Sequence, residues 1–257
     1  MQYLPPNIVH FVLWCGRLAA PLQWRLFPRR LRSLRLVCPL KHLPQADDVR
    51  CFPPTIEELA YHCAFNHVVM RNETRFDLLN YRSPPQLKSL TFSVNPYAKL
   101  VNVDLPMNLE RLLFCGHIRV RVWPPRLQTL KLDRAGLKRI DCSNFPQTLT
   151  SLDLSSNGLS SINGLSTLKN LNRLELFGNL LEELTDVPTR LVKLDLAGNF
   201  IRGLDPLKMP QTLRWLRMDR KIVEGPFSRN GNGWAVYTVS SDHFVLESLD
   251  MAQPIPW

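Results

Sequence analysis

The chain lacks the cysteine spacings and long apolar runs that would assign it to several common protein classes. None of its 6 cysteines forms a C-x-x-C pair and none clusters at a chain end, which argues against disulfide-rich caps. No apolar run approaches the ~18–20 residues of a membrane span. The short apolar stretch from Ile8 to Cys15 lacks the basic segment of a signal peptide. These absences predict an intracellular protein, cytoplasmic or nuclear, with free thiols and no membrane contact.

Signatures of catalysis are missing as well. The sequence contains no G-x-x-x-x-G-K-[ST], G-x-G-x-x-G, G-x-S-x-G or H-E-x-x-H motif. His62, Cys63 and His67 lie close together but lack a second pair of ligands at zinc spacing, so a structural role is predicted for them. We therefore expect no enzyme activity, no cofactor and no metal site.

Positive charge is concentrated in the first half of the chain. Residues 1–125 carry 16 Lys/Arg and 8 Asp/Glu, whereas residues 126–257 carry 16 and 14, which together give the net charge of +10. Such an excess attracts phosphates or an acidic protein surface. The basic residues do not follow one continuous face and no nucleic-acid-binding module is recognised, so nucleic-acid binding ranks below protein binding.

A repeat of about 22 residues runs along most of the sequence. Three successive segments match L-x-x-L-x-L-x-x-N-x-L, beginning at Leu149, Leu171 and Leu191. Weaker copies begin at these further positions: Ile8, Leu31, Ile56, Leu87, Leu109, Leu127 and Leu213. The steps between first positions are 23, 25, 31, 22, 18, 22, 22, 20 and 22 residues. Regular spacing of this kind indicates a solenoid built from about ten units.

Proline marks the start of nearly every repeat, which explains why Pro (21) outnumbers Gly (11). In nine of the ten repeats a Pro stands three residues before the first apolar position, and only the Leu171 repeat has another residue there, Leu168. Pro restricts φ and lacks an N–H, so it suits the bend that precedes a strand. The pattern predicts an array at residues 1–221 and an irregular segment at 222–257. In that segment we expect a hairpin containing a strand from Trp234 to Val239, and a last degenerate repeat at Leu246, Leu249 and Met251.

The alternating leucines predict how each repeat folds. They would point inward from a short strand, and the strands would stack as a curved parallel sheet on the concave side. Connections of about ten residues, often with Pro, favour short 3-10 or extended convex segments and little helix. The fold class is therefore α/β, a solenoid. Asn95, Asn157, Asn179 and Asn199 would form a hydrogen-bonded ladder at the turn, with irregular geometry in the other repeats.

The concave face is the predicted binding site. Side chains two, four and six places after each first position should face it, and the candidate partner-binding residues are Lys131, Asp133, Asp153, Arg173, Glu175, Phe177, Lys193, Asp195, Trp215 and Arg217. The acidic stripe of Asp153, Glu175 and Asp195 either recognises a basic segment, with Phe177 and Trp215 as apolar anchors, or is neutralised by neighbouring Arg and Lys as ordinary surface. Val12, Trp14 and Val37 form a second, apolar candidate patch.

These repeats resemble those of the leucine-rich repeat superfamily over residues 4 to 221. Their Pro-x-x-Leu-x-x-Leu form is similar to irregular repeats in fungal and amoebal F-box proteins and in bacterial effector ubiquitin ligases, where the repeats select a substrate while another domain performs the chemistry. Residues 149–184 are also similar to phosphatase-regulating repeat proteins. The resemblance implies a non-catalytic scaffold that binds a protein partner, with a ubiquitin-ligase substrate receptor or a phosphatase regulator as alternatives. No F-box helices are recognised before residue 4, and no ligase domain after residue 221.

Overall fold

The computed structural model describes residues 4–14, 26–37, 52–62, 84–93, 99–103, 105–204, 209–219, 234–240 and 243–248. The chain divides into two compact parts, residues 1–135 and residues 136–257, which we call the N-terminal block and the C-terminal block. This division falls inside the repeat array, near the end of the motif that begins at Leu127. The boundary expected after residue 221 stays a prediction.

In the N-terminal block, six repeats each contribute one five-residue strand to a parallel sheet. These strands are β1 (His10–Trp14), β2 (Ser33–Val37), β3 (Glu58–His62), β4 (Ser89–Ser93), β6 (Arg111–Cys115) and β8 (Thr129–Asp133). Neighbouring strands pair in register along this order, with Leu34 opposite Leu59 and Leu90 opposite Leu112. The irregular geometry expected for repeats without the turn Asn is therefore not seen in this sheet.

In the C-terminal block, four repeats form the same arrangement, three of them with strands of only three residues. They are β10 (Ser151–Asp153), β12 (Arg173–Glu175), β13 (Lys193–Asp195) and β14 (Trp215–Asp219). Leu152 lies opposite Leu174, and Leu174 lies opposite Leu194, so the inward leucines stand on adjacent parallel strands as predicted.

The connecting segments contain small, local structures. β5 (Lys99–Val103) pairs with β7 (His117–Val120) in the N-terminal block, and β9 (Arg139–Asp141) pairs with β11 (Ser161–Asn163) in the C-terminal block. Two 3-10 helices, Cys142–Asn144 and Leu165–Thr167, lie in the C-terminal block. The part of the chain that the structure describes contains no α-helix, which confirms the prediction of a solenoid with very little helix.

The core is the column of side chains that point away from the open face of the sheet. From the Leu31 repeat to the Leu213 repeat, the first, fourth and sixth residues of the L-x-x-L-x-L motif are buried; in the Leu149 repeat all three are 0% exposed. Because each repeat offers only one apolar edge, it becomes stable by stacking on its neighbours. In the N-terminal block the sixth position is aromatic in three successive repeats, Tyr61, Phe92 and Phe114, whose ring centroids are 5.3 and 5.8 Å apart.

The regular spacing of proline along the repeats corresponds to a hydrogen-bonded turn. In each repeat the amide N–H of the first apolar residue donates to the carbonyl of the residue three places earlier, as in Leu31 to Pro28 (3.1 Å) and Leu213 to Pro210 (3.0 Å). Leu168 accepts the same bond from Leu171 at 3.1 Å. The carbonyl therefore closes the turn, and Pro contributes a fixed φ and the absence of an N–H that would otherwise need a partner.

The C-terminal end of the chain departs from the parallel arrangement. β16 (His243–Ser248) pairs antiparallel with β14, and β15 (Trp234–Ser240) pairs antiparallel with β16. The strand expected from Trp234 is present. A further repeat would instead add a parallel strand, so the prediction of a degenerate repeat is wrong at Leu246; Leu249 and Met251 lie outside the described residues.

Candidate partner-binding face

Eight of the ten predicted binding residues lie on one surface, the open face of the C-terminal block. On this face Arg173, Lys193 and Trp215 are lateral neighbours on three successive strands. A second row holds four residues side by side, Asp153, Glu175, Asp195 and Arg217. Phe177 follows β12. Lys131 and Asp133, the two remaining candidates, are half-buried on β8 in the N-terminal block.

Two of the three carboxylates in the predicted acidic stripe turn back toward their own backbone. Asp153 is 8% exposed and its Oδ1 accepts the amide of Ser155 at 2.9 Å; Asp195 is 6% exposed and its Oδ1 accepts the amide of Ala197 at 3.1 Å. Each carboxylate thus satisfies a backbone donor where the chain leaves the sheet. Both carboxylates therefore stabilise the turn that follows the strand, and little of either one is accessible to a ligand.

The third carboxylate is held by two cations. Glu175 Oε1 accepts from Arg173 Nε at 2.9 Å and Nη2 at 2.6 Å, and lies 3.7 Å from Lys193 Nζ. Lys193 Nζ also sits 4.1 Å from the centroid of the Trp215 ring. A cation over the face of Trp is attracted by the ring quadrupole, so these four side chains fix one another's positions.

A second cluster surrounds Arg217. Its Nη1 donates to Asp195 Oδ2 at 3.1 Å, and its guanidinium carbon lies 5.0 Å from the centroid of the Phe177 ring. Burial raises the pKa of Asp195, and the neighbouring Arg217 opposes that rise. Between the two interpretations of the acidic stripe, these contacts favour a neutralised surface whose charges are already paired within the molecule.

Beside this face lies an exposed apolar ridge that sequence reasoning found only in part. Phe177 (36% exposed), Leu180 (50%) and Phe200 (63%) form it. Leu180 and Phe200 occupy the same place in successive repeats, the variable position between the Asn and the last apolar residue of the motif. An apolar residue at this variable position in two successive repeats is the signal that could have revealed the ridge. Phe177 packs over the turn of the next repeat, where a Cβ on Gly198 would lie 3.4 Å from its ring.

The turn beneath the ridge is rigid because buried amides brace it. Asn179 Nδ2 donates to the carbonyls of Leu154 and Leu176, and its Oδ1 accepts the amides of Gly158 and Leu159, at 2.9–3.1 Å. Asn199 likewise bridges its own repeat and the preceding one through the carbonyls of Leu196 and Leu176 at 2.9 Å. In the last repeat the carboxylate of Asp219 has the role that the Asn side chain has in the preceding repeats: it accepts the amides of residues 198 and 199 at 2.9 and 3.2 Å.

The predicted absence of a metal site can be compared with the described residues. No group of three His, Cys, Asp or Glu side chains among them could hold a metal ion. His62 lies on the open face of β3, and its pKa is lowered by burial and by Arg35; Cys63 and His67 lie outside the described residues. Among those residues there is also no helix long and apolar enough to cross a membrane.

Comparison with known structures identifies the class: the chain has the leucine-rich repeat fold. It is similar to the crystal structure of the leucine-rich repeat domain of APL1B, with a TM-score of 0.52 and 18% identity, over 80% of this chain and 62% of that one. YopM from Yersinia enterocolitica WA-314 is similar with a TM-score of 0.39 and 22% identity, over 83% of this chain and 51% of YopM. The chain thus spans less than two thirds of either protein. No protein-family profile and no curated protein matches it.

Proposed function

We propose that the chain is a non-catalytic protein-interaction scaffold, and that the open face of the C-terminal block with its apolar ridge is a partner-binding surface. The observation that carries this proposal is the ridge itself. Three large apolar side chains stand exposed in two successive repeats, Phe177 and Leu180 in one and Phe200 in the next, in a block whose motif leucines are almost completely buried. Clustered exposed apolar groups with a polar rim are typical of protein-binding sites.

The paired charges support the same function. Arg173, Glu175 and Lys193 already hold one another, and Trp215 is fixed by the Lys193 ammonium. A surface whose side chains are ordered before binding loses less conformational entropy on association. Because Glu175 and Asp195 are paired with cations of the same face and Asp153 is 8% exposed, the partner is expected to contribute an apolar segment rather than a run of basic residues.

The finer hypotheses of a ubiquitin-ligase substrate receptor and of a phosphatase regulator remain hypotheses. The likeness to solved structures concerns the fold, and no contact on the described face favours either role. Nucleic-acid binding is a weaker hypothesis for this face, since residues 136–257 carry 13 Lys/Arg and 13 Asp/Glu and so have no net charge.

The proposal is tested by purifying partners on the tagged full chain from a native lysate and comparing two variants by quantitative mass spectrometry. Phe200→Ala removes the most exposed residue of the ridge. Val122→Ala is the matched control, because Val122 is equally exposed, at 63%, but lies in the N-terminal block. A partner recovered with wild type and Val122→Ala, but reduced about tenfold or more with Phe200→Ala, supports the assignment.

The outcome against the proposal is equally concrete. If every protein enriched by wild type is recovered in the same amount by Phe200→Ala and by Phe177→Ala, the ridge is not the binding site. Circular dichroism of each variant checks that the fold is intact, which is expected since both side chains are partly or largely exposed.

A further inference from the structure

The first strand of the N-terminal block is an apolar strand at the edge of the sheet. β1 (HFVLW) pairs with β2 on one side, and no strand of the described residues pairs with its other side. Its core-facing residues Phe11 and Leu13 are half-exposed, whereas the equivalent Leu34 and Leu36 of β2 are 1% and 0% exposed. On the open face, Val12 and Trp14 are 60% and 78% exposed. Exposed apolar edges of this kind are templates for pairing with another chain, and β1 carries none of the charges that usually protect them.

Backbone groups of β1 point toward this free edge. The carbonyl of Val9 accepts the amides of Arg32 and Ser33 at 2.8 and 3.0 Å, so it faces β2. Since backbone groups alternate in direction along a strand, the amides and carbonyls of His10, Val12 and Trp14 face away from β2. They provide the hydrogen-bonding row that an added strand needs.

The stretch of sequence that contains β1 and β2 carries charge of one sign. Residues 1–46 contain seven Lys/Arg and no Asp or Glu. Arg29 and Arg30, in the turn before β2, and Arg35, the lateral neighbour of Val12, are exposed and form no ion pair within the described residues. More broadly, residues 1–135 carry 19 Lys/Arg and 9 Asp/Glu, so the whole net charge of +10 lies in the N-terminal block. A second copy of this edge would bring like charges together, whereas an acidic segment would be attracted.

We propose that β1 is a second docking site, which takes an extended acidic segment of a partner protein as an added strand. Apolar side chains on one side of that segment would cover Phe11 and Leu13. Carboxylates on its other side would reach Arg35, the lateral neighbour of Val12, and Arg30 in the turn before β2. This is the peptide-recognition mode in which main-chain bonds provide affinity and alternate side chains provide specificity. The site lies in a different block from the apolar ridge, and either can fail without the other.

The test uses the full chain and a defined probe, the peptide acetyl-Glu-Ile-Glu-Val-Glu-Ile-Glu-amide, with affinity measured by calorimetry. We expect binding that weakens about tenfold or more in Trp14→Ala and in Arg30→Glu. Arg126→Glu is the matched control, because Arg126 is exposed at the same place in the turn before β8; it should bind as wild type does. The basic peptide acetyl-Lys-Ile-Lys-Val-Lys-Ile-Lys-amide should not bind.

Backbone methylation separates strand addition from simple charge attraction. One version of the acidic peptide is N-methylated at its Glu residues and another at its Ile and Val residues. Because only alternate amides of an added strand face β1, one version should lose binding and the other keep it. Equal binding by both versions would overturn the proposal.

Three further results would also overturn it. The first is no binding of the acidic peptide, or unchanged binding in both Trp14→Ala and Arg30→Glu. The second is tighter binding of an oligothymidylate than of the peptide, lost in Arg30→Glu, which would assign the edge to nucleic acid. The third is a dimer of the free chain that Trp14→Ala converts to a monomer, which would assign the edge to a second copy.

Discussion

The N-terminal and C-terminal blocks build the same solenoid in two different ways. In the C-terminal block, the repeats with Asn157, Asn179 and Asn199 have strands of three residues, and the side-chain amide of Asn157 donates to the carbonyls of Leu154 and Ser155 where the chain leaves the sheet. In the N-terminal block the strands extend to five residues. β14, which has Lys221 at the Asn position, is again five residues long, but so is β4, whose repeat has Asn95 there; the Asn alone therefore does not set the strand length, and Asn95 lies outside the described residues.

The two blocks also differ in what occupies the sixth motif position. Leu154, Leu176 and Leu196 fill it in the C-terminal block, above a turn held by hydrogen bonds. In the N-terminal block the three aromatic rings described above fill it in three of the six repeats, one pair edge-to-face and the other stacked, so aromatic packing is added there. The comparison shows that a solenoid turn can be stabilised either by satisfying backbone groups with an amide or by extending the strand over a larger apolar core.

The largest expected effect tests the aromatic side of this comparison. Phe92→Ala should lower the free energy of unfolding by about 4 kcal/mol, because Phe92 is buried between two rings and its loss leaves a cavity. Phe92→Leu is the control and should cost about 1 kcal/mol, since most of the volume is retained. Urea unfolding followed by circular dichroism measures both. Equal losses for the two variants would show that the aromatic column is not what stabilises this block.

The next effect tests the amide ladder. Asn179→Ala should cost about 3 kcal/mol, because it leaves the backbone amides of Gly158 and Leu159 without the oxygen that accepts from both of them. Asn170→Ala is the control: Asn170 is exposed and donates one bond, to the carbonyl of Gln147 at 2.9 Å. The same urea titration applies. If Asn179→Ala lowers the free energy of unfolding no more than Asn170→Ala does, the amide ladder does not stabilise the C-terminal block.

A smaller effect concerns the charges on the C-terminal face. Folding raises the pKa of Asp195 above its ordinary value of 3.8, so its contribution to stability is full below that value and is lost as pH rises through the folded pKa. Arg217→Met removes the cation that opposes the rise, so the pKa should rise further, and each added unit costs about 1.4 kcal/mol at neutral pH. Carboxyl NMR titration measures the pKa, and unfolding at pH 4 and pH 7 measures the stability.

The matched control for this titration is Arg202→Met, which breaks the exposed pair with Glu182. Such a surface pair contributes little, so this variant should leave both the Asp195 pKa and the stability unchanged. A pKa of Asp195 that does not rise in Arg217→Met would show that the Arg217 contact has no electrostatic influence on it.

The smallest effects concern the turn after each strand. The seventh place after the first Leu has a left-handed φ in the Leu149 repeat, at Ser156 (55°), and in the Leu191 repeat, at Gly198 (70°). Gly198→Ala should cost about 1 kcal/mol from the left-handed backbone, and its Cβ would meet the amide nitrogen of Gly178 at 3.1 Å. Ser156→Gly should gain up to about 1 kcal/mol by relieving the same strain. Thermal denaturation measures both, with Gly203→Ala, which has open space, expected to be neutral. Opposite signs to these would refute the strain argument.

The fold was predictable from the sequence because each copy of the motif contains one strand, and equivalent motif positions lie opposite each other on neighbouring strands. Spacing alone placed Leu152, Leu174 and Leu194 on adjacent strands. The open face was predictable for the same reason, since side chains alternate along a strand. The spacing could not reveal that Asp153 and Asp195 are buried carboxylates that accept backbone amides. Those hydrogen bonds depend on how the chain turns two residues after each Asp. The direction of β16 escaped prediction because an apolar alternation looks the same in either orientation.

The turn that opens each repeat has a consequence for how this molecule can vary. The hydrogen bond that closes this turn joins two residues of the same repeat. The position at which each strand begins is therefore set within its own repeat and does not depend on the length of the preceding connecting segment. Intervals of 18 and of 31 residues therefore lead equally well into strands that pair in register. Insertions in a connecting segment should leave the rows of the sheet aligned, which makes those segments natural places to graft new sequence.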